Sequence, residues 1–333
     1  MNLFSTKVAK RLAPRYLAPV VVVTVMLLAS RTSHHPSVVF PEAGALAVIV
    51  FVLRQKTVLA RASLVVTLAT LDAAVGVVLA RLVNVSAVGE IAALALVLTE
   101  IYWLRSSLVP LISVTMLPVV FHITSPFYVL SVLAVTGALT ASITLERLLT
   151  SKGTGNHEEV RAPSGVVEDH SVEIALVFFC VGALWIVATN LFLPLFFMAP
   201  PLFVSALDWF KDRRYDPKFL LTRAFLLFFA ASVGEAGYLY LGHIPGSIAA
   251  FFLTLLIASW VHDLHPPLLA ISILPQVVHP TQPILYVVGV LIGTLALYIG
   301  CAFAISGLKR YHAYQLSIKL VAPNVFDRST DVE

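Results

Sequence analysis

Charge is scarce in this chain: Asp, Glu, Lys and Arg make up 12% of its 333 residues, against roughly a quarter in soluble domains. So few ionisable groups cannot keep a protein of this length in water as an ordinary globular domain. Cysteine is scarcer still. Cys180 and Cys301 both lie inside apolar stretches, which excludes a disulfide framework and any Cys-x-x-Cys ligand pair and leaves both readable as small buried hydrophobes. Enzyme signatures are missing too: there is no His-Glu-x-x-His, no Gly-x-Ser-x-Gly and no phosphate-cradling glycine loop with its lysine. Neither an enzyme nor a bound cofactor is expected. Apolar side chains are what is plentiful, at 59%, with a mean hydropathy of +0.92. A net charge of +4 would suit nucleic acid, but the basic residues sit in short loops between apolar runs. That placement is a membrane-topology pattern and speaks against a nucleic-acid partner.

The apolar runs fall near 16–30, 41–53, 62–83, 87–104, 109–121, 126–145, 173–193, 200–210, 219–241, 245–261, 267–278 and 283–305. Several are long enough to cross a hydrocarbon core of roughly 30 Å at about 1.5 Å per residue. Four are not: 41–53, 109–121, 200–210 and 267–278 make helices of about 20 Å or less. Each of these opens with proline, at Pro41, Pro110, Pro200-Pro201 and Pro266-Pro267. Proline suits a first helical turn because its missing N–H has no partner there. They are read as short helices that begin within the membrane or near its surface. Basic residues Lys7, Lys10, Arg11 and Arg15 before an apolar run also resemble a secretion signal. Against cleavage, residues 16–30 take the place that 173–192 take in a second copy of the same pattern.

That second copy is the most informative feature of the sequence. Without a gap, Gly89 aligns with Gly246, Trp103 with Trp260, Pro110 with Pro267, Pro118 with Pro275, His122 with His279 and Pro126 with Pro283. Upstream, after a short insertion, Arg61 aligns with Arg223 and Pro41 with Pro200. The expected architecture is an all-α polytopic transmembrane bundle of two parallel repeats, each with about six membrane segments including two short Pro-initiated half-helices. Its parts are a first repeat at 1–150, a cytoplasmic linker at 151–171, a second repeat at 172–306 and a cytoplasmic tail at 307–333. With six crossings per copy starting inside, every Lys and Arg except Arg31 and Arg81 falls on or near the inner side, as cytoplasmic retention of basic loops requires. This orients the repeats in parallel and puts both termini on the cytoplasmic face of a multi-pass plasma-membrane protein. One chain already makes a whole bundle, and a homo-oligomer stays open.

The phrase Asp263-Leu264-His265-Pro266-Pro267, after an apolar helix and before a run ending at Pro275, resembles the signature of the HPP family of integral membrane proteins. Phe40-Pro41-Glu42-Ala43-Gly44-Ala45 resembles that family's earlier short helix, and Arg61 and Arg223 match its arginine at the next helix start. The likeness covers nearly all of both repeats. Departures are Leu268-Leu269 in place of the family's small residues, Leu108-Val109-Pro110 in place of the first copy's triplet, and no glycine after Pro200-Pro201 to match Gly44. Some members are associated with nitrite transport, so the resemblance implies a permease for a small anion.

The short helices give a physical reason for anion handling. If their N-termini reach the membrane interior, bare N–H groups and the positive dipole end favour a negative solute; the alternative is that they only shape the bundle. The substrate site on this reading comprises Pro41, Glu42, Gly44, Pro110, Ser113, Thr115, Pro200, Pro201, His265, Pro266, Pro267 and Ser272, with Arg61 and Arg223 at the inner mouth. The hydroxyls of Ser113, Thr115 and Ser272 serve a ligand or bond back to their own helix. Ionisable groups inside spans are expensive and mark function by default; Glu42, Asp72, Glu90, Glu100, Asp208 and Glu235 are such groups. Asp72 and Glu235, at similar depth in the third helix of each copy, are the proton-coupling candidates, with pairing to Arg81 or to another helix as the plainer alternative. His262-Asp263-x-His265 has weak metal-ligand spacing, and no metal is expected. Two other functions stay open: a non-transporting sensor or assembly subunit, and a proton-linked cation carrier.

Overall fold

A computed structural model describes residues 6–55, 58–59, 61–83, 86–104, 108–151, 171–212, 217–280 and 282–321. The stretch 152–170, where the linker is expected, and the tail beyond 321 lie outside these, as does Arg105. All regular structure among the described residues is helical. In chain order the helices are α1 (Thr6–Ser33), α2 (Glu42–Val48), α3 (Ala62–Leu82), α4 (Ala87–Trp103), α5 (Leu111–Val120) and α6 (Pro126–Ser151). There follow α7 (Ser171–Phe192), α8 (Pro200–Asp212), α9 (Pro217–Leu241), α10 (His243–Val261), α11 (Pro266–Ile273), α12 (Pro275–Val278) and α13 (Pro283–Val321). Among the described residues, eight segments are long and apolar enough to cross a membrane, as fits a multi-pass membrane protein. One of them, Pro36–Leu53, is α-helical only over α2 and then widens into a π-turn, Ile49–Leu53, closed by left-handed Arg54 at φ 48°. The final helix runs through Val321, past the boundary expected at 306, although its apolar span ends at Leu308.

Surface and interior are sorted as a bilayer demands. Leu71, Val78, Leu82, Leu184, Leu191, Phe225 and Phe303 point outward, while every residue of α5 and of α11 is buried. The short helices are thus the centre of the bundle, and the long ones form its wall. Cys301 is buried as expected, whereas Cys180 is exposed on the outer face of α7, where a thiol meets lipid as readily as any small apolar group.

Five non-glycine residues end helices or turns in the left-handed region: His34, Arg54, His122, His262 and His279. Histidine tolerates this region better than branched residues do. At α10 the motif is complete: His262 N–H reaches Ser259 O at 3.3 Å and Asp263 N–H reaches Ala258 O at 3.1 Å, the two bonds of a Schellman ending. At α5, left-handed His122 lets Ile123 N–H reach back to Pro118 O at 2.8 Å. His122 and His279 therefore recur in the two halves because both stop a short helix.

The packing partners exchange between halves. The α4 helix lies on α7 and α10 on α1, while short α5 lies on short α8 and short α11 on short α2. Within halves, α3 packs on α5 and α6, and α9 on α11 and α13. A missing side chain permits each of the closest approaches. A Cβ on Gly76 of α3 would stand 2.5 Å from the Thr115 carbonyl oxygen of α5, and one on Gly234 of α9 would stand 2.6 Å from that of Ser272 in α11. Tyrosines then pin the short helices from the other side: Tyr128 OH donates to Val114 O and Tyr286 OH to Ile271 O, each at 3.1 Å. Charge divides the ends of the bundle. Arg54 pairs with Glu146 at 2.8 Å and Arg147 donates to Leu59 O at 2.6 Å, at the end where α3 starts with Arg61. At the far end Arg81 forks onto Thr124 O at 2.9 and 2.6 Å.

Candidate functional site

Two polar groups lie within the packed interior. The first surrounds α5. Glu42 opens α2 just after Phe40 and Pro41, with 2% of its surface exposed. It lies against the Ser113 hydroxyl, itself fully buried, and neither group makes a well-aligned hydrogen bond beyond that contact. On the α3 side of α5, Asp72 lies against the Thr115 hydroxyl and the Glu100 carboxyl of α4. One oxygen of each acid, Asp72 Oδ2 and Glu100 Oε1, is unpartnered. Tyr128 stands within electrostatic reach of both Glu42 and Asp72. A buried polar atom with no partner forfeits several kcal/mol, roughly, in a medium that cannot hydrogen-bond. A set of them, three acids deep, is the least apolar feature of this core.

The second group sits where α8, α9, α11 and α13 converge. His265 Nε2 and Ser205 Oγ are 2.7 Å apart, and Ser205 Oγ and Tyr298 OH 2.5 Å. Beside them Arg223, 7% exposed, lies 3.4 Å from Asp263 and 4.2 Å over the Phe219 ring. Its Nε and Nη1 nevertheless have no hydrogen bond.

At three of the four short-helix starts the first available N–H groups are already hydrogen-bonded. At α5 the first three N–H groups, of Leu111, Ile112 and Ser113, are closed onto the carbonyls of Leu108, Val109 and Pro110 at 3.1–3.2 Å. At α11, Pro266 and Pro267 have no N–H to offer and Leu268 N–H goes to His265 O at 3.0 Å. At α8, Pro200 and Pro201 act alike and Leu202 N–H goes to Ala199 O at 2.9 Å. The proline that made these starts legible thus removes their donors, and 3₁₀ closure uses the rest. No side chain caps α2, α5 or α11.

Other expected residues separate by role. Thr115 bonds back to Leu111 O at 3.1 Å and Ser272 to Leu269 O at 2.8 Å, whereas Ser113 turns to the Glu42 carboxyl. Gly44 admits a neighbouring helix, since a Cβ there would meet Phe251 Cε2 of α10 at 2.4 Å. Arg61 is exposed at the start of α3 while Arg223 is buried inside α9. Asp72 precedes Gly76 by four residues and Glu235 follows Gly234 by one. Measured from those contacts, the two acids differ in depth by over a turn. Glu235 is buried with both oxygens unpartnered, and Arg81, committed to Thr124, is not the partner of Asp72. Among the described residues no cluster of metal-binding side chains forms. What the sequence did not reveal was the meeting of Asp72 with Glu100, because two acids on neighbouring helices have no fixed spacing. Two apolar grooves, about 410 Å³ between α1 and α6 and about 270 Å³ between α4 and α7, are lined by none of the expected site residues.

The described residues thus form an all-helical bundle with spans long and apolar enough to cross a membrane. Comparison with family models, curated proteins and solved structures found no match to the chain.

Proposed function

We infer that this chain is a secondary carrier for a small cation, linked to proton movement, with the solute held at Glu42 and Ser113 where α2 faces α5. The observation that carries this reading is a carboxyl and a hydroxyl that lie against each other there in a wholly apolar surrounding, 2% and 0% exposed. Carboxylate and hydroxyl oxygens are ligands for hard cations, and an ionisable group within a span persists where a ligand, water or proton completes it. Full-length protein in proteoliposomes, assayed for sodium, potassium and small-amine uptake with and without a pH gradient, tests the reading. Uptake that is lost in Glu42→Gln supports it; uptake of anions with none of any cation ends it.

A second reading, the small-anion permease of the HPP resemblance, is favoured by Arg223, whose Nε and Nη1 are buried without hydrogen bonds. Closure of the amides at α5, α8 and α11 weakens its other support. Nitrite or nitrate uptake abolished by Arg223→Gln distinguishes it, and a sensor or assembly subunit gives no flux of either sign.

The halves read as copies related by an axis along the membrane normal. Reciprocal packing of α4 on α7 and α10 on α1, and the paired glycine and tyrosine contacts on α5 and α11, support this. Gathering of Arg54, Arg61 and Arg147 at one end supports placing that end, with both termini, in the cytoplasm under the plasma membrane.

A further inference from the structure

We propose that the groove between α1 and α6 holds one chain of a membrane phospholipid whose anionic headgroup rests on Arg15, Arg54 and Arg147. The site is separate from the carrier reading, and it depends on the proposed orientation only for the leaflet that supplies the lipid. The groove measures about 410 Å³, within the roughly 300–1,000 Å³ of small-molecule sites. Val21 and Val25 in its lining are 58% and 59% exposed, so it opens sideways from the wall of the bundle, where hydrocarbon surrounds a spanning helix. Its two hydroxyls are spent, Ser131 on Val38 O at 2.5 Å and Ser142 on Leu139 O at 2.7 Å. What is left for an occupant is apolar, which suits an alkyl chain and refuses a polar solute.

The gap is not a requirement of the fold. In the second half the corresponding helices, α7 and α13, pack together, and a Cβ on Gly300 would stand 2.9 Å from Val181 Cγ1. In the first half α1 and α6 touch little, and a Cβ on Gly137 of α6 would meet nothing within 4 Å. The groove follows α6 from Ser131 to Ser142, about 16 Å, close to the roughly 15 Å depth of one leaflet's hydrocarbon.

Charge complements the groove at one end. Each element that lines it continues into an arginine at the end where α3 starts. On α1 this is Arg15, seven residues before Val22 and so on the same helix face. Arg54 follows the π-turn that carries Phe51, and Arg147 stands on α6 five residues beyond Ser142. Glu146 shares this mouth and is bridged by Arg54 at 2.8 Å. Three arginines against that acid leave the mouth positive. Guanidinium forks match phosphate oxygens, and basic pockets between spans collect anionic headgroups.

Native mass spectrometry of the full chain in a mild detergent, titrated with dioleoylphosphatidylglycerol, dioleoylphosphatidylcholine or glycerol phosphate, reads the site. The wild type should retain a single phosphatidylglycerol in preference to phosphatidylcholine, and no glycerol phosphate. Arg15→Gln and Arg54→Asn should each weaken phosphatidylglycerol binding about fivefold and leave phosphatidylcholine unaltered; asparagine tolerates the left-handed backbone at 54. Ala138→Phe, which fills the groove, should weaken both lipids roughly tenfold in protein that still elutes as a monodisperse peak. Should it not fold, Val21→Phe fills the groove from α1 and gives the same readout. Equal retention of the two lipids, or phosphatidylglycerol binding indifferent to both kinds of variant, overturns the proposal. So does glycerol phosphate bound as tightly as the whole lipid, which makes this a free-anion site, or a wild-type dimer that Ala138→Phe turns into monomer, which gives the groove to a second copy. Selective, variant-sensitive retention in a protein whose arginine end faces out of the cell upholds the site and refutes the orientation.

Discussion

Replacing Gly76 by alanine tests the closest helix contact of the first half. The new Cβ would stand 2.5 Å from the Thr115 carbonyl oxygen, where ordinary contact begins at 3.4 Å. The obstacle is backbone, so no side chain can swing aside, and α5 cannot retreat because every residue from Leu111 to Val120 is buried. The helices must part by roughly 1 Å, which overpacking data put at about 1–3 kcal/mol. Alanine's better helix propensity returns up to about 1 kcal/mol, leaving a net loss of up to about 2 kcal/mol. Gly137 in α6 is the control: a Cβ there meets nothing within 4 Å, so Gly137→Ala gains up to about 1 kcal/mol. Tryptophan fluorescence during thermal unfolding in one detergent at one scan rate should separate the two variants by several degrees, at about 2 °C per kcal/mol. Gly76→Ala at or above the wild-type midpoint would refute the close approach of α3 and α5.

Gly234→Ala should mirror Gly76→Ala in the same assay, since its Cβ would stand 2.6 Å from Ser272 O. Asp263→Ala leaves Arg223 buried without its counter-ion and should destabilise by about 3 kcal/mol, with most of the loss recovered in the double variant Arg223→Met, Asp263→Leu; no recovery would count against the pair. Asn190→Leu removes the 2.6 Å bond from Nδ2 to Glu90 Oε2 that joins α7 to α4, and chemical denaturation should register about 2 kcal/mol. His279, at the end of α12, is held below the ordinary histidine value of 6.5 by burial and by neighbouring His243. As the pH drops below that value the unfolded chain takes up a proton that the folded chain resists, so stability should fall with acidification. Unfolding midpoints between neutral and mildly acidic pH should show that fall, and His279→Gln should flatten it.

The sequence revealed most of what period and punctuation control. Pro41, Pro110, Pro200 and Pro266 mark where the four short helices begin, to within a residue or two, and the recurrence of His122 as His279 marks where two of them stop. Burial of Glu42 and Ser113 follows from their place in wholly apolar runs. Contacts between helices were another matter. Whether Asp72 meets Arg81 or Glu100 depends on the crossing that Gly76 permits, which no single-helix pattern encodes. Arg61 and Arg223 share a sequence context, but one precedes its helix and is exposed, while the other is the seventh residue of its helix and buried. The proline starts misled in one respect: the residue that signals an open helix end is also the residue with no N–H to present.

The exchange of short helices between halves has a consequence for synthesis. As the ribosome releases the chain, α2 and α5 are complete long before α8 and α11 exist, yet those later segments are the ones they lie against. Until then the early half must be sheltered by lipid, by an insertion factor or by provisional pairing with itself, and its buried acids face whatever shelters them. Maturation is therefore a late, concerted closure, and a nascent chain arrested within 152–170 should be recognised by the cell's quality control as unfinished.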